Sequence, residues 1–272
     1  MADKRRVLDR FIRYLFPAVL VAVVIISIFM QPPLISSPEV SEQFREQGAR
    51  PGFFSSAANG EAAWPGHLPP LLRDALEAAY GPERPVVESF YLFGQAKRRL
   101  FGLPFNFGAE LVLIPGRGEA VQQGMSIFGF RILLYQTGLD DNAAWRRDNG
   151  RDQNVDAEAV LLGFVLEQAA LLLPLAEADL TWRQEGPNLL AASLSGIGEL
   201  VLEFDQQRLV RAALGEQEII LSEPASFGSY TLPSVWTGQY GQAGMKRFEL
   251  HGLVLNPPFA QDALERLRVN AG

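Results

Sequence analysis

The sequence predicts an α+β protein in which a curved, mainly antiparallel β-sheet, a half-barrel, wraps around an apolar helix and is preceded by an N-terminal transmembrane helix. Three observations predict it: an uncharged apolar run over 14–30, a series of short alternating segments separated by turns, and a helix-forming segment over 156–175 that is apolar nearly all round. Such a helix must be covered on most sides, and a sheet bent around it covers it with few elements.

The apolar run from Tyr14 to Met30 predicts an uncleaved signal anchor. At about 1.5 Å per residue it is about 25 Å long, and Phe11 and Ile12 extend it toward the roughly 30 Å of a bilayer core while Arg13 reaches the headgroups. The run is longer than the apolar region of a typical cleaved signal, and no good small-x-small cleavage site follows it. Cleavage is the alternative interpretation.

Charge predicts how the chain is oriented and divided. Five basic residues precede the apolar run against only Asp3 and Asp9, whereas the whole chain carries a net charge of −7. Basic flanks stay in the cytoplasm, so we expect a single-pass protein of the cytoplasmic (inner) membrane with its N-terminus inside and its C-terminal domain outside. The expected parts are a basic N-terminus (1–13), the anchor (14–30), a Pro/Gly-rich tether containing a short helix (31–66) and an exported half-barrel domain (67–272).

Composition excludes several classes of function. The chain has no cysteine, which removes disulfides, thiol catalysis, iron–sulfur clusters and thiolate zinc sites. Its two histidines, His67 and His251, lie far apart in sequence, and GMSIFG at 124–129 does not match a nucleophile elbow. The acidic exported part gives nucleic acid no electrostatic support. We therefore predict a protein that is not an enzyme, with no catalytic residues, no metal site and no cofactor.

Helices and strands follow from periodicity and end signals. A helix is predicted from about Pro70 to Tyr80, ended by Gly81-Pro82, and a second is predicted to begin at the N-cap Asp156 and to be closed by Pro174. The remaining segments alternate with the period of half-buried strands. Strands are expected near 86–99, 103–114, 119–127, 128–137, 179–185, 189–195, 198–205, 208–214, 217–222 and 246–255.

The charged stretch over 140–158 offers oxygen ligands for a hard cation such as Ca²⁺. Its spacing breaks the EF-hand pattern, and three arginines compete for the carboxylates. We therefore favour a solvated loop with a helix cap over a calcium site. The four carboxylates are Asp148, Asp152, Asp156 and Glu158, and the three arginines are Arg146, Arg147 and Arg151.

Aromatic residues crowd the first half of the predicted sheet, beyond what one face of a small core needs. Core packing explains any single one, but a Phe-lined curved sheet facing an apolar helix can leave an apolar cavity. The predicted ligand-binding lining consists of Phe105, Phe107, Phe128, Phe130, Leu162, Phe164 and Leu166.

Over about 68–255 the order of elements resembles a bacterial domain-of-unknown-function family with a lipoprotein-carrier-like (LolA/LppX-type) half-barrel. Four features carry the resemblance: the LPPLLRDAL helix, the apolar DAEAVLLGFVLEQAALLLP helix, the hairpin ELVLEFDQQRLVRAAL, and SVWTGQYG followed by FELHGLVL. The region after 236–240 departs from the family pattern, and the N-terminal tether is peculiar to this chain. The resemblance implies that an acyl chain or other apolar molecule is held between helix and sheet, and it supplies no catalytic residues.

Two functional hypotheses follow. The first is a membrane-anchored extracytoplasmic domain that binds a lipid, an acyl chain or another apolar ligand in a cavity between sheet and helix. The second is a non-enzymatic envelope module with a fully packed core, which binds another envelope protein through 140–158 or a sheet edge. The bilayer is a partner in both, through residues 11–30, and nucleic acid in neither. An apolar void of several hundred Å³ favours the first hypothesis.

Overall fold

The computed structural model describes residues 63–264, apart from short gaps at 101–102, 115–117, 128–129, 141–142, 150, 179, 195, 241–244, 259, 261 and 263. The predicted anchor and the short helix of the tether lie outside the described residues. Among the helices that are described, none combines the length and the apolar character needed to cross a bilayer.

Within the described residues, thirteen strands form one sheet in which every neighbouring pair is antiparallel. The predicted mainly antiparallel sheet is therefore confirmed. The strands are β1 (Phe90–Leu100), β2 (Leu103–Ile114), β3 (Gly118–Ile127), β4 (Phe130–Asp140), β5 (Ala143–Asp148), β6 (Arg151–Asp152), β7 (Trp182–Gly186), β8 (Leu189–Leu194), β9 (Gly198–Asp205), β10 (Arg208–Leu214), β11 (Gln217–Phe227), β12 (Tyr230–Tyr240) and β13 (Met245–Leu255).

The sheet consists of two meanders, β1–β6 and β7–β13, joined in the middle by the pairing of β1 with β13. Across this central seam Tyr91 lies opposite Val254 and Leu92 opposite Leu253. The chain passes from the outer edge of the first meander to the outer edge of the second through the helices that follow β6. These helices must therefore cross the face of the sheet.

Helix α1 (Pro70–Tyr80) has the predicted bounds. Pro70 stands at its first position, where no backbone N–H is needed, and Gly81 ends it with a φ of 95° that favours glycine. Its buried residues, Leu72, Ala75, Leu76, Ala79 and Tyr80, recur at helical spacing and face the core. The Trp64 indole packs here as well and donates a hydrogen bond of 3.1 Å to the Gly81 carbonyl.

Helix α2 (Ala157–Leu171) begins as predicted, because the Asp156 carboxylate accepts a hydrogen bond of 3.1 Å from the Ala159 N–H. Its predicted end is wrong. The break falls at Leu172, which takes a φ of 61°, and Pro174 lies in the first turn of the short helix α3 (Leu173–Glu177). Proline is tolerated in a first turn, so Pro174 begins α3 instead of closing α2.

The curvature of the sheet follows from what α2 contacts. This one helix contacts β4 and β5 of the first meander and β10, β11 and β12 of the second. In a flat sheet β5 and β10 would lie about 38 Å apart at about 4.8 Å per strand, whereas α2 is only about 22 Å long. The sheet is therefore bent around α2, which lies with α1 on its concave face.

Two segments differ from the sequence prediction. The charged stretch predicted as a solvated loop contains β5 and β6, and its hairpin is stabilised where the Trp145 ring covers Gly138 of β4, a position at which a Cβ would clash with the ring. Strand β12 was not predicted either, because Pro233 interrupts its pattern. Both segments extend the antiparallel sheet.

Candidate functional site

The residues predicted to line a cavity lie in the packed core where the structure describes them. Phe107 and Leu166 are 0% exposed and Phe164 is 4% exposed. Phe105 and Leu162 are half-buried and pack against the same cluster. Phe128 lies outside the described residues, and for Phe130 only its place at the start of β4 is described. Their role in ligand binding stays a prediction.

A pocket of about 350 Å³ lies elsewhere, between α1 and the second meander. Its floor is formed by the buried side chains of Leu209, Leu221 and Leu232 on β10, β11 and β12. Its roof is formed by α1, and Leu172 closes one side. The described lining is completed by Ala75, Ala78, Ala79, Gln206, Gln207, Arg208, Val210, Ser222, Pro224, Thr231 and Pro233, and includes none of the seven residues predicted from sequence.

Small side chains leave the space under α1. Ala75, Ala78 and Ala79 are the three α1 residues that line the pocket, and none extends beyond Cβ. Leu72 and Leu76, whose longer side chains are fully buried, do not line it. The longer leucine side chains of α1 therefore set its distance from the sheet. A gap remains where the short alanine side chains face the sheet.

The sheet is also irregular below the pocket. Pro224 on β11 lies directly opposite Pro233 on β12, and neither proline has an N–H to donate to the ladder. Between the lining residues Ser222 and Pro224, Glu223 takes a φ of 54°, and its carbonyl accepts a hydrogen bond of 2.6 Å from the Ser234 hydroxyl. The backbone is thus fixed in an uncommon conformation where it borders the pocket.

Uncommon backbone conformations concentrate around this pocket. Of the six described non-glycine residues with positive φ, Leu172, Gln206 and Gln207 line the pocket, and Glu223 lies between two that do. Gln206 and Gln207 form the two-residue turn between β9 and β10, a place usually taken by Asn or Gly. Strained residues of this kind often mark functional sites.

The pocket is apolar inside and polar at its mouth. Arg208 is the one charged residue among its described lining, and it lies at the start of β10 beside the glutamine turn. Gln206, Gln207, Ser222 and Thr231 are exposed neutral residues that complete the polar part. An apolar interior with few polar groups at one end is the usual character of a small-molecule site.

A second polar feature lies in the first meander, away from the pocket. Glu119 on β3 is 2% exposed and Glu167 on α2 is 4% exposed, and the Gln168 amide donates a hydrogen bond of 3.0 Å to Glu119 Oε2. Burial raises the pKa of Glu167 to about 8, and burial together with the neighbouring Glu167 carboxyl raises the pKa of Glu119 well above its usual value. Burial thus favours the protonated form of Glu167 at neutral pH, and the hydrogen bond from Gln168 to Glu119 joins α2 to β3.

The carboxylates considered for a cation site are engaged by protein groups. Asp148 pairs with Arg146 at 3.0 Å and Asp152 with Arg147 at 2.6 Å, while Asp156 caps α2. The predicted competition from the arginines is thus visible in the ion pairs. Across the described part of the chain, no group of three or more metal-ligating side chains is present.

The pocket was not predicted from sequence because small residues form it, whereas the predicted cavity was based on large aromatic residues. Pro224 lies just beyond a predicted strand, and the turn Gln206-Gln207 joins two confidently alternating segments without Asn or Gly. Together these two irregularities were the available indications.

Comparison with solved structures finds similar chains at low sequence identity. This chain is similar to a LolA superfamily protein from Nitrosomonas europaea (TM-score 0.43, 10% identity, covering 69% of this chain and 92% of that one). It is also similar to an outer membrane lipoprotein-sorting protein domain from Vibrio parahaemolyticus (0.40, 8%, 65% and 90%) and to a DUF1329 family protein from Desulfovibrio piger (0.38, 9%, 63% and 87%). No family model matches the sequence, and no curated protein does.

Proposed function

We propose that this protein is a membrane-anchored, non-enzymatic extracytoplasmic domain that binds a lipid or another apolar ligand in the pocket between α1 and strands β10–β12. The observation that carries the proposal is the pocket itself, about 350 Å³ in volume with a leucine floor. Ligand pockets range over roughly 300–1,000 Å³, so this one suits a single acyl chain better than a whole two-chain lipid.

The chemistry of the pocket supports binding over catalysis. Its described lining contains no carboxylate, histidine, lysine or cysteine, so it offers neither a general base nor an activated nucleophile. The buried carboxyls of Glu119 on β3 and Glu167 on α2 are not among the lining residues. A ligand in this pocket would meet apolar surface and one guanidinium.

The predicted anchor supports a ligand drawn from the bilayer. The first described residues lie close to the pocket, because Trp64 is hydrogen-bonded to Gly81, two residues beyond the lining residue Ala79. Residues 31–62 would connect this point to the anchor over 14–30, with a reach of about 30–35 Å if extended as a flexible coil. The pocket would thus operate near the membrane surface.

A photoreactive acyl probe tests the proposal in the full-length chain held in lipid nanodiscs. A diazirine-bearing fatty acid is crosslinked by light, and labelled peptides are mapped by mass spectrometry. We expect labelling to concentrate at 75–79, 206–210, 221–224 and 231–233. Ala78→Trp places a large ring at the exposed mouth of the pocket and should lower this labelling at least about tenfold.

Glu77→Trp is the matched control, since Glu77 is the adjacent exposed residue of α1 and does not line the pocket. It should label like the parent chain. Labelling confined to the anchor, or equal labelling of both variants, would contradict the proposal. In that case, recovery of one stoichiometric crosslinked protein would favour the envelope interaction module instead.

A further inference from the structure

Arg208 occupies a defined place at the mouth of the pocket. It is exposed, follows the Gln206-Gln207 turn, and pairs across the β9–β10 ladder with Asp205. The left-handed conformations of both glutamines fix the course of the turn, so the start of β10 is held where the apolar floor begins at Leu209. The backbone of Arg208 is thereby held beside the opening of an apolar cavity, within reach of its guanidinium.

Arg208 differs from most neighbouring arginines in having no carboxylate partner among the described residues. On the same strand, Arg211 lies 2.8 Å from Glu218 and 3.7 Å from Glu203. Arg247 on β13 similarly lies 2.9 Å from Glu249. Asp205, though opposite Arg208 in the ladder, is not within ion-pair distance of it.

An unpaired guanidinium can bind an anion without first breaking an ion pair. Its planar fork of N–H groups matches the two oxygens of a carboxylate or phosphate. The neutral amides of Gln206 and Gln207 add donors beside it and no competing negative charge. The mouth therefore complements an anionic group, while the interior complements an apolar chain.

We propose that the pocket selects single-chain amphiphiles with an anionic headgroup, with the chain lying over Leu209, Leu221 and Leu232 and the headgroup bound by Arg208. This inference rests on the proposed function and adds the class of ligand to it. Two sources share this chemistry, a fatty acid with its carboxylate and a lysophospholipid with its phosphodiester. Because the volume of about 350 Å³ lies near the lower end of the range for ligand pockets, we expect the second chain of a diacyl lipid to stay outside the pocket.

Three diazirine probes with the same chain test the headgroup: a fatty acid, a lysophosphatidylglycerol and an uncharged fatty alcohol. Each is crosslinked to the full-length chain in nanodiscs made of zwitterionic lipid, and the labelled pocket peptides are quantified. We expect at least one anionic probe to label them about fivefold more strongly than the alcohol. The anionic probe that labels more strongly identifies the source.

Arg208→Gln should remove the advantage of the anionic probe and leave alcohol labelling unchanged, since the apolar floor is intact. Arg211→Gln is the matched control because it removes a positive charge from the same strand outside the pocket, and it should preserve the advantage. Equal labelling by acid and alcohol in the parent chain, or an advantage that survives Arg208→Gln, overturns the headgroup inference alone. Absence of pocket labelling by all three probes overturns the proposed function as well.

Discussion

The two meanders of this sheet pack differently against the helices. In β1–β6 the concave face carries large aromatic side chains, and Phe107 is fully buried against the core, with its ring 5.9 Å from that of Tyr135. In β7–β13 the concave face carries buried aromatic side chains as well, among them Phe204, Trp236 and Phe248, but three of its leucines meet the alanines of α1 across a pocket. Among the described residues we therefore call β1–β6 the filled half and β7–β13 the open half.

The difference shows that an excess of large apolar residues is a poor guide to a cavity. Large side chains at the sheet–helix interface fill it to normal packing density, so the Phe-rich half is where space is least expected once the chain has folded. Space remains where Ala75 and Ala79 meet a sheet distorted by Pro224 and Pro233. Backbone irregularity combined with small side chains was the better indicator.

The two halves also differ in their buried polar groups. Glu119, Gln123 and Glu167 are all buried in or above the first meander, and no hydrogen-bond partner is present for either amide atom of Gln123 within the described part of the chain. Burying such groups costs free energy unless they are paired. The filled half is therefore the half whose stability should depend on protonation.

The largest expected effect comes from removing a large buried side chain from the filled half. Phe107→Ala removes a ring that is 0% exposed and should lower the free energy of unfolding by about 3–5 kcal/mol. Chemical denaturation of the purified chain, followed by circular dichroism, measures it. Under conditions where the variant stays folded, the acyl probe should still label the pocket. A decrease of less than about 1 kcal/mol in the free energy of unfolding would mean that this half is not tightly packed.

The next effect is the pH dependence of the same half. The folded-state pKa of Glu167 is raised to about 8 by burial, so the folded protein holds a proton that the unfolded chain releases above its ordinary pKa. Stability should therefore fall as pH rises from about 5 to 8, by an amount on the order of 2–4 kcal/mol. Denaturation midpoints measured across this range test the sign.

Glu167→Gln should flatten that pH profile and should be more stable than the parent chain at pH 8, because the amide stays neutral. Glu158→Gln, an exposed change in the first turn of the same helix, should leave the profile unchanged. If the profile of Glu167→Gln matches that of the parent chain, the buried pair does not titrate as described.

A smaller effect is the difference in stability lost when a leucine that borders the pocket, or one that does not, is replaced by alanine. Leu209→Ala widens an existing space, whereas Leu202→Ala on the adjacent strand creates a new one in close packing. Both substitutions destabilise, but we expect Leu209→Ala to cost about 1 kcal/mol less, since the cavity contribution grows with the new void. Equal losses in denaturation midpoints would indicate that the pocket is closed in solution.

The smallest effect concerns the attachment of α1. The Tyr80 hydroxyl donates a buried hydrogen bond of 2.6 Å to the Leu171 carbonyl at the end of α2. Tyr80→Phe should cost about 0.5–1 kcal/mol, because that carbonyl loses its side-chain partner. Hydrogen exchange should rise in α1 and around the pocket and stay unchanged in β2 and β3; a uniform rise along the chain would show that the two halves open together.

The sequence was sufficient for the elements that depend on local periodicity. The bounds of α1, the Asp156 cap and the alternating strands were predicted correctly because their signals lie within a few residues of one another. The end of α2, the hairpin under Trp145 and the pairing of Pro224 with Pro233 depend on residues distant in sequence or on tertiary contacts. The pocket arises from such contacts, so periodicity could not reveal it.

The central seam has a consequence for the order of assembly. β1 is synthesised well before β13, so the pairing of Phe90 with Leu255 closes a loop that spans most of the described domain. Contacts of such sequence separation form slowly, and until they form, β1 and β13 each expose an unpaired edge. If synthesis stalls before β13 emerges, β1 and β12 keep such edges, and misfolding of this chain should begin there.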